Sequence, residues 1–247
     1  MKGYNKGIKT ISMLLDRLGH HMNHKKIRRI MRKFRLFCPI RKPNPYKSML
    51  KNMQTNYVAD NLVKREFKDH GPRTILLTDI TYIFYKNHER AYLSTIKDAY
   101  TNEILAYKLS DNMELPFVLD TVKMLIKNHG KELNPDTTLH SDQGAHYTSK
   151  EYQKLLKSKK INQSMSRRGN CWDNAPQESF FGHMKDEVKF DELPTIIAVK
   201  KAVKDYMNYY NNFRPQWGLA KLTPAEYYKY SITGEYPNFT INDKKTI

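Results

Sequence analysis

Only one acidic residue, Asp16, stands in the first 56 positions of this 247-residue chain, against fifteen Lys or Arg, a balance of +14; all remaining positions together add +4. An ordinary solvated helical hairpin mixes both signs, so this segment is read as the footprint of a polyanionic partner, nucleic acid ahead of a membrane surface. Cysteine is equally scarce. Cys38 and Cys171 give no disulfide framework and no pair of zinc thiolates at finger spacing, and His20, His21 and His24, with no CxxC beside them, are read as a solvated or phosphate-facing surface. No stretch approaches the roughly 18 apolar residues of a membrane span, and the first twenty positions lack the apolar core of a secretory signal. The expectation is a soluble cytoplasmic protein with no membrane partner.

What the chain does contain falls into four parts. Ile8, Ile11, Leu14, Leu15 and Leu18 recur at helical spacing until Gly19, and a second helix follows from about Asn23 or His24. That helix carries Ile27, Ile30, Met31 and Phe34 on one stripe and Lys25, Lys26, Arg28, Arg29, Arg32 and Lys33 over the rest. Two short helices around a tight turn predict a helix-turn-helix-like DNA-binding segment over residues 1–37, with those six cations as contacts. Residues 38–56 hold three prolines without periodicity and read as a linker. From Thr74 three branched and aromatic runs, TILLTDITYIFY, AYLSTIKDAY and EILAYKLS, predict an antiparallel meander. A helix over LPFVLDTVKMLIKNHG, a strand at TTLHSD, a helix at KEYQKLLKSKK, a strand at INQSM and a helix from near Asp173 or Asn174 to about Lys189 complete the order β-β-β-α-β-α-β-α. That order predicts an α/β, ribonuclease H-like fold: a mixed five-stranded sheet with flanking helices over 57–190. A helical extension occupies 191–247, with a helix from Thr195 to Tyr210 and another that starts at Thr223 as N-cap with Pro224 behind it.

Three acids stand out within this frame. Asp79 lies inside the most apolar strand, where an ionised carboxylate needs a cation or several donors unless that strand face is solvated. Asp142 closes TLHSD just before Gln143 and Gly144, and a turn explains it equally. Glu178, in the first turn of its helix, could simply complement the helix dipole. The fold order nevertheless makes their three elements neighbours. Three converging carboxylates repel one another unless cations sit among them, and oxygen-only donors suit Mg²⁺ or Mn²⁺. Two such ions per site serve in-line phosphoryl transfer. Asp98, before Tyr100, Thr101 and Asn102, is assigned to a hairpin turn.

The segments HSDQGAHYTS and SMSRRGNCWDNAPQESFFGHMKDE, with 35 residues between Asp142 and Glu178 and LTDITY around Asp79, resemble the catalytic core of bacterial insertion-sequence transposases. The branch concerned makes its transposase from two overlapping frames, and this chain resembles the second-frame product, with its retroviral-integrase-like acidic triad. KGYNKGIKTISMLLDRLGHHMNHKKIRRIMRKF and YYNNFRPQWGLAKLTPAEY are similar to that family's N-terminal helical segment and C-terminal signature. The resemblance implies that Asp79, Asp142 and Glu178 are catalytic metal ligands. It also implies that water or a DNA 3′ hydroxyl is the nucleophile, and that element ends are cut and joined to target DNA without a covalent protein intermediate. It implies, too, a homo-oligomer on DNA and a partner from the upstream frame, since the family's further helix-turn-helix and leucine zipper are absent here. Lys185, seven positions after Glu178 with Gly182 between them, is expected to contact phosphate. Arg167, Arg168 and Asn170 are expected to grip a DNA end, Trp172 to pack, and Gln143 and Tyr147 to support the motif. One departure is Gln216, where many relatives carry His after Arg-Pro. A ribonuclease H-like nuclease or resolvase that does not join strands, and a DNA-binding regulator with an inactive core, are the alternatives.

Overall fold

The computed structural model describes residues 6–36, 60–63, 69–86, 88–166 and 175–237. Two helices come first, α1 (Ile8–Arg17) and α2 (His24–Lys33). Gly19 stops α1 with φ 76°, a left-handed value that costs glycine little, while the His20 amide bonds the Leu15 carbonyl at 2.8 Å. Asn23 caps α2, its side chain accepting from the Lys25 amide at 2.8 Å. The buried stripe of α1 is Ser12, Met13 and Leu14 rather than the expected row from Ile8 to Leu18, whose other members are only half-buried. The helix is wedged between α2 and the C-terminal segment, so it must serve two neighbours instead of one.

The sheet follows the order expected. Strands β1 (Ile75–Tyr85), β2 (Glu89–Asp98) and β3 (Ile104–Ser110) form the antiparallel meander, and β4 (Thr138–Ser141) and β5 (Asn162–Met165) run parallel to β1 in the spatial order β3-β2-β1-β4-β5. Parallel neighbours need crossovers, supplied by α3 (Leu115–His129) and α4 (Lys150–Ser158). On one face Leu76, Ile96 and Leu139 pack with Val118, Val122 and Leu125 of α3 and with Tyr152 and Leu156 of α4. On the other, Ile83 and Leu93 pack with Phe180, Phe181 and Met184 of α5 (Ala175–Glu187) and Val199, Val203 and Tyr206 of α6 (Ile196–Asn212). Helix α5 ends two residues earlier than the sequence suggested, because the chain tightens into a 3-10 turn over Phe190–Glu192 that sinks Phe190 into this cluster. The last helix, α7 (Pro224–Thr233), opens with a reciprocal capping box between Thr223 and Glu226.

Asp98 does belong to a turn: its Oδ1 accepts from the Tyr100 amide at 2.9 Å. It also does something the sequence did not disclose. Its Oδ2 accepts from the backbone and guanidinium of Arg73 at 3.1 and 3.0 Å, and that guanidinium also reaches Glu103 at 2.7 Å and lies 3.9 Å from the ring of Tyr228 on α7. This buried knot ties the end of β2 to the C-terminal helix.

Candidate active site

Two of the three acids stand just past the paired stretch of β1 and β4, and the charges of both act on the same buried phenol, that of Tyr147. The parallel pairing of β1 and β4 runs Ile75 with Thr138, Leu76 with Leu139 and Leu77 with His140; two residues further along each chain stand Asp79 and Asp142. Asp79 is half-buried in mid-strand, and Asp142 is exposed one residue past the end of β4. Each carboxylate is steadied locally, Asp79 Oδ1 accepting from the Ile80 amide at 2.8 Å and Asp142 Oδ1 from the Gly144 amide at 2.9 Å. A Cβ at Gly144 would stand 2.9 Å from Asp142 Oδ1, so a larger residue there would push the Asp142 carboxylate from its present place. Tyr147 is fully buried; burial first, then the charges of Asp79 and Asp142, push its phenol well above its ordinary pKa. It therefore stays neutral. Gln143 binds the Ser166 carbonyl at 3.0 Å and ties the ends of β4 and β5.

Helix α5 is pinned onto this site along its length. Gln177, wholly buried in the first turn, donates through Nε2 to Thr95 Oγ1, and Thr95 is the residue paired across from Asp79. Lys97, 3% exposed, donates to the Pro176 carbonyl at 2.9 Å. These contacts fasten the first turn of α5, and with it half-buried Glu178, against β2 beside the strand that carries Asp79. Further along, Lys185 Nζ donates to Thr81 Oγ1 at 2.7 Å, two residues beyond Asp79. At the far end Glu187 Oε1 accepts from Arg214 Nε and Nη2 at 2.9 and 2.7 Å, and its Oε2 accepts from Tyr206 at 3.3 Å. Although burial opposes it, that carboxylate raises the Arg214 pKa further. Sequence reading missed Gln177, Lys97 and the Arg214–Glu187 pair. One signal was present: Lys97 and Thr95 alternate with Leu93 and Ala91 on one side of β2, which puts a lysine on a buried face.

The donors around Asp79, Asp142 and Glu178 are hard carboxylate oxygens, which match Mg²⁺ or Mn²⁺ rather than thiolate-seeking metals. Among the described residues, no three His, Cys, Asp or Glu side chains already sit together as a ligand set. Arg167, Arg168, Asn170 and Trp172 lie outside the described residues, as does the predicted linker 38–56. Lys25, Lys26, Arg28, Arg29, Arg32 and Lys33 are all exposed on α2. Gln216, at the position where a histidine was expected, accepts from Asn102 at 2.9 Å and so fastens the C-terminal segment to the β2–β3 turn.

A mixed sheet in this order, with an acid in β1, one after β4 and one opening α5, defines a ribonuclease H-like integrase core. Family models described as an integrase core domain match residues 69–171 and 159–224, and one described as an HTH-like domain matches residues 2–44. InsK of Escherichia coli (strain K12), named as a transposase for insertion sequence element IS150, is 38% identical over 90% of this chain and 76% of its own length. A transposase-like protein of Haemophilus influenzae is 36% identical over 85% of this chain and 95% of its own. The transposase for insertion sequence element IS904 of Lactococcus lactis is 31% identical over 91% and 88%. The chain belongs to the insertion-sequence transposases with an integrase core.

Among solved structures, the intasome of simian T-cell lymphotropic virus in complex with PP2A regulatory subunit B56 gamma matches with a TM-score of 0.52 and 15% identity over 79% of this chain and 64% of that one. The catalytic core domain of BIV integrase matches with a TM-score of 0.50 and 18% identity over 67% and 99%. At those identities the likeness is one of fold. Among the described residues, no helix is long and apolar enough to cross a membrane.

Proposed function

We propose that this protein cuts the ends of an insertion element and joins them to target DNA, with Asp79, Asp142 and Glu178 as the catalytic carboxylates. The observation that supports this reading is that β1 pairs with β4 as far as Leu77 and His140, two residues before Asp79 and Asp142, while Gln177 seats the first turn of α5 on Thr95. These three residues would hold two Mg²⁺ or Mn²⁺ ions. When bound, such ions lower the pKa of an attacking hydroxyl or water and neutralise the leaving oxygen of a phosphodiester. The protein's own contribution is positional. Gly144 leaves room for the Asp142 carboxylate, Tyr147 stays protonated, and the contacts of Gln177 and Lys97 fix the approach of Glu178. Lys185, at the rim beside Thr81, meets a DNA phosphate together with Arg167, Arg168 and Asn170. The exposed cations of α2 hold the element end.

In this reading residues 1–37 bind DNA, 38–56 link them to a catalytic unit over 57–190, and 191–247 form an extension that braces α5. Two ends must be brought together, so the active species is a homo-oligomer on DNA, aided by the product of an upstream frame.

The test uses labelled DNA ends, blunt and pre-cut, incubated with the protein in Mn²⁺. Cleavage and joining that both vanish in Asp142→Asn, with DNA binding retained, support the reading. Cleavage of the blunt end with no joining of the pre-cut one indicates a nuclease or resolvase. Undiminished cleavage by Asp142→Asn rules out the carboxylate mechanism.

A further inference from the structure

A surface of another kind lies where the C-terminal segment meets the N-terminal helices. Residues 216–222 form a short raised loop whose 3-10 turn, Trp217–Leu219, is anchored by Leu219 and Leu222, both wholly buried. Backbone bonds close it, from the Gln216 amide to the Leu222 carbonyl at 2.9 Å and from the Leu222 amide to the Leu219 carbonyl at 2.8 Å. Inside that clamp Ala220 and Lys221 hold φ values of 51° and 65°, two successive non-glycine residues in the left-handed region. Strain of this sort is retained where a surrounding framework imposes it and clusters at ligand sites.

What the loop displays is an aromatic ring among cations. Trp217 is 50% exposed. Lys9 of α1 and Lys221 place their ammonium groups 5.6 and 5.3 Å from its ring centre, and the His24 ring at the start of α2 lies 6.2 Å away. The attachment of α1 to this segment does not rest on the indole. Arg17 grips the Glu226 carboxylate, with Nη1 to Oε1 at 3.0 Å, and Lys221 stands 3.7 Å from Asp16. Beside the indole, Gly218 has open space where a Cβ would project.

We propose that Trp217 is a stacking platform for an unpaired nucleobase, with Lys9 and Lys221 meeting the flanking phosphates, so that this loop binds single-stranded DNA next to the duplex held by α2. The ammonium groups of Lys9 and Lys221 lie over this ring, and a base that takes their place on its face leaves them to meet the flanking phosphates. A base inside a duplex is stacked on both sides and cannot offer its own face to the indole. The occupant is therefore a frayed or newly freed strand, and the inference rests on the reading that the protein processes DNA ends.

The chain has two tryptophans, Trp172 and Trp217, so Trp172→Phe leaves Trp217 as the sole indole. Titrating that full-length variant with oligothymidine should quench its fluorescence in step with the binding seen by anisotropy. Trp217→Ala, made in the natural chain, should weaken oligothymidine binding about 5- to 100-fold while duplex affinity stays within about twofold, and Trp217→Phe should recover part of the loss. Oligothymidine that binds without quenching, or that binds Trp217→Ala as tightly as the natural chain, overturns the stacking site alone. A natural chain that binds neither single strand nor duplex overturns the DNA-processing reading with it.

Discussion

Charges in the sheet region and charges on α2 are used in opposite ways. In the core, Arg73 and Asp98 are 3% and 0% exposed and bond each other, Arg214 and Glu187 form a second enclosed pair, and Lys97 spends its ammonium on a backbone carbonyl. On α2 six cations are exposed, and among the described residues no carboxylate pairs with any of them. A buried charge must be fully bonded, because leaving it unpaired costs several kcal/mol, so it holds the structure in one arrangement. An exposed charge with no partner holds nothing in the fold and is available to a ligand. The comparison teaches that a strongly basic chain can keep its architecture and its binding surface electrostatically separate.

The comparison can be broken first where its effect is largest. Arg214→Met leaves Glu187 enclosed without its partner and should destabilise the protein by about 3 kcal/mol, read as a lower midpoint in urea. A midpoint unchanged from the natural chain would mean that the pair is not structural. Gly144→Ala, which crowds Asp142 without touching a buried pair, should lower strand cleavage about tenfold with the melting temperature preserved. Equal losses of activity and stability would show that Gly144 serves the fold instead.

Replacing Arg28 and Arg29 together by Ala should leave stability within about 0.5 kcal/mol and weaken duplex binding, flattening the dependence of log affinity on log salt by about 0.9 for each phosphate that is no longer neutralised. A stability loss there would erase the contrast between the two regions.

The smallest effect concerns the seam between them. Burial would raise the Glu226 pKa, but the bond from Arg17 and those from Thr223 outweigh it and hold the carboxyl below its ordinary 4.5. A carboxyl depressed in the folded state contributes stability that is present above its unfolded pKa and is lost as the pH falls through its folded value. Protection of the α1 amides against exchange, relative to the intrinsic rate, should therefore fall below about pH 4.5, beyond any change in the β-sheet, and Glu226→Gln should remove that extra pH dependence. An identical pH profile in the Gln variant would assign the acid sensitivity elsewhere.

Much of this could be read from local pattern. The alternation of ILLTDITYIFY, the 3.6-residue stripe of LPFVLDTVKMLIKNHG, the helix starts near Asn23 and Thr195 and the cap at Thr223 depend on neighbours within a few residues, and the elements formed close to where those signals stand. Asp79 was conspicuous for the same reason, an acid in an apolar run. The burial of Ser12 and Met13 was not legible, because it depends on what α1 meets beyond α2.

The sequence by itself determined the order of elements, the basic character of α2 and the candidacy of three acids, since each is a matter of residue type at short spacing. Only the tertiary structure decided that β1 pairs with β4 just ahead of Asp79 and Asp142, and that Gln177 and Lys97 seat the helix that bears Glu178. It alone showed that Arg214 braces the far end of that helix, 27 residues from Glu187 along the chain. Those are choices of strand register and of long-range partners for buried polar groups, and a polar side chain does not announce which distant donor or acceptor will offset the cost of its burial.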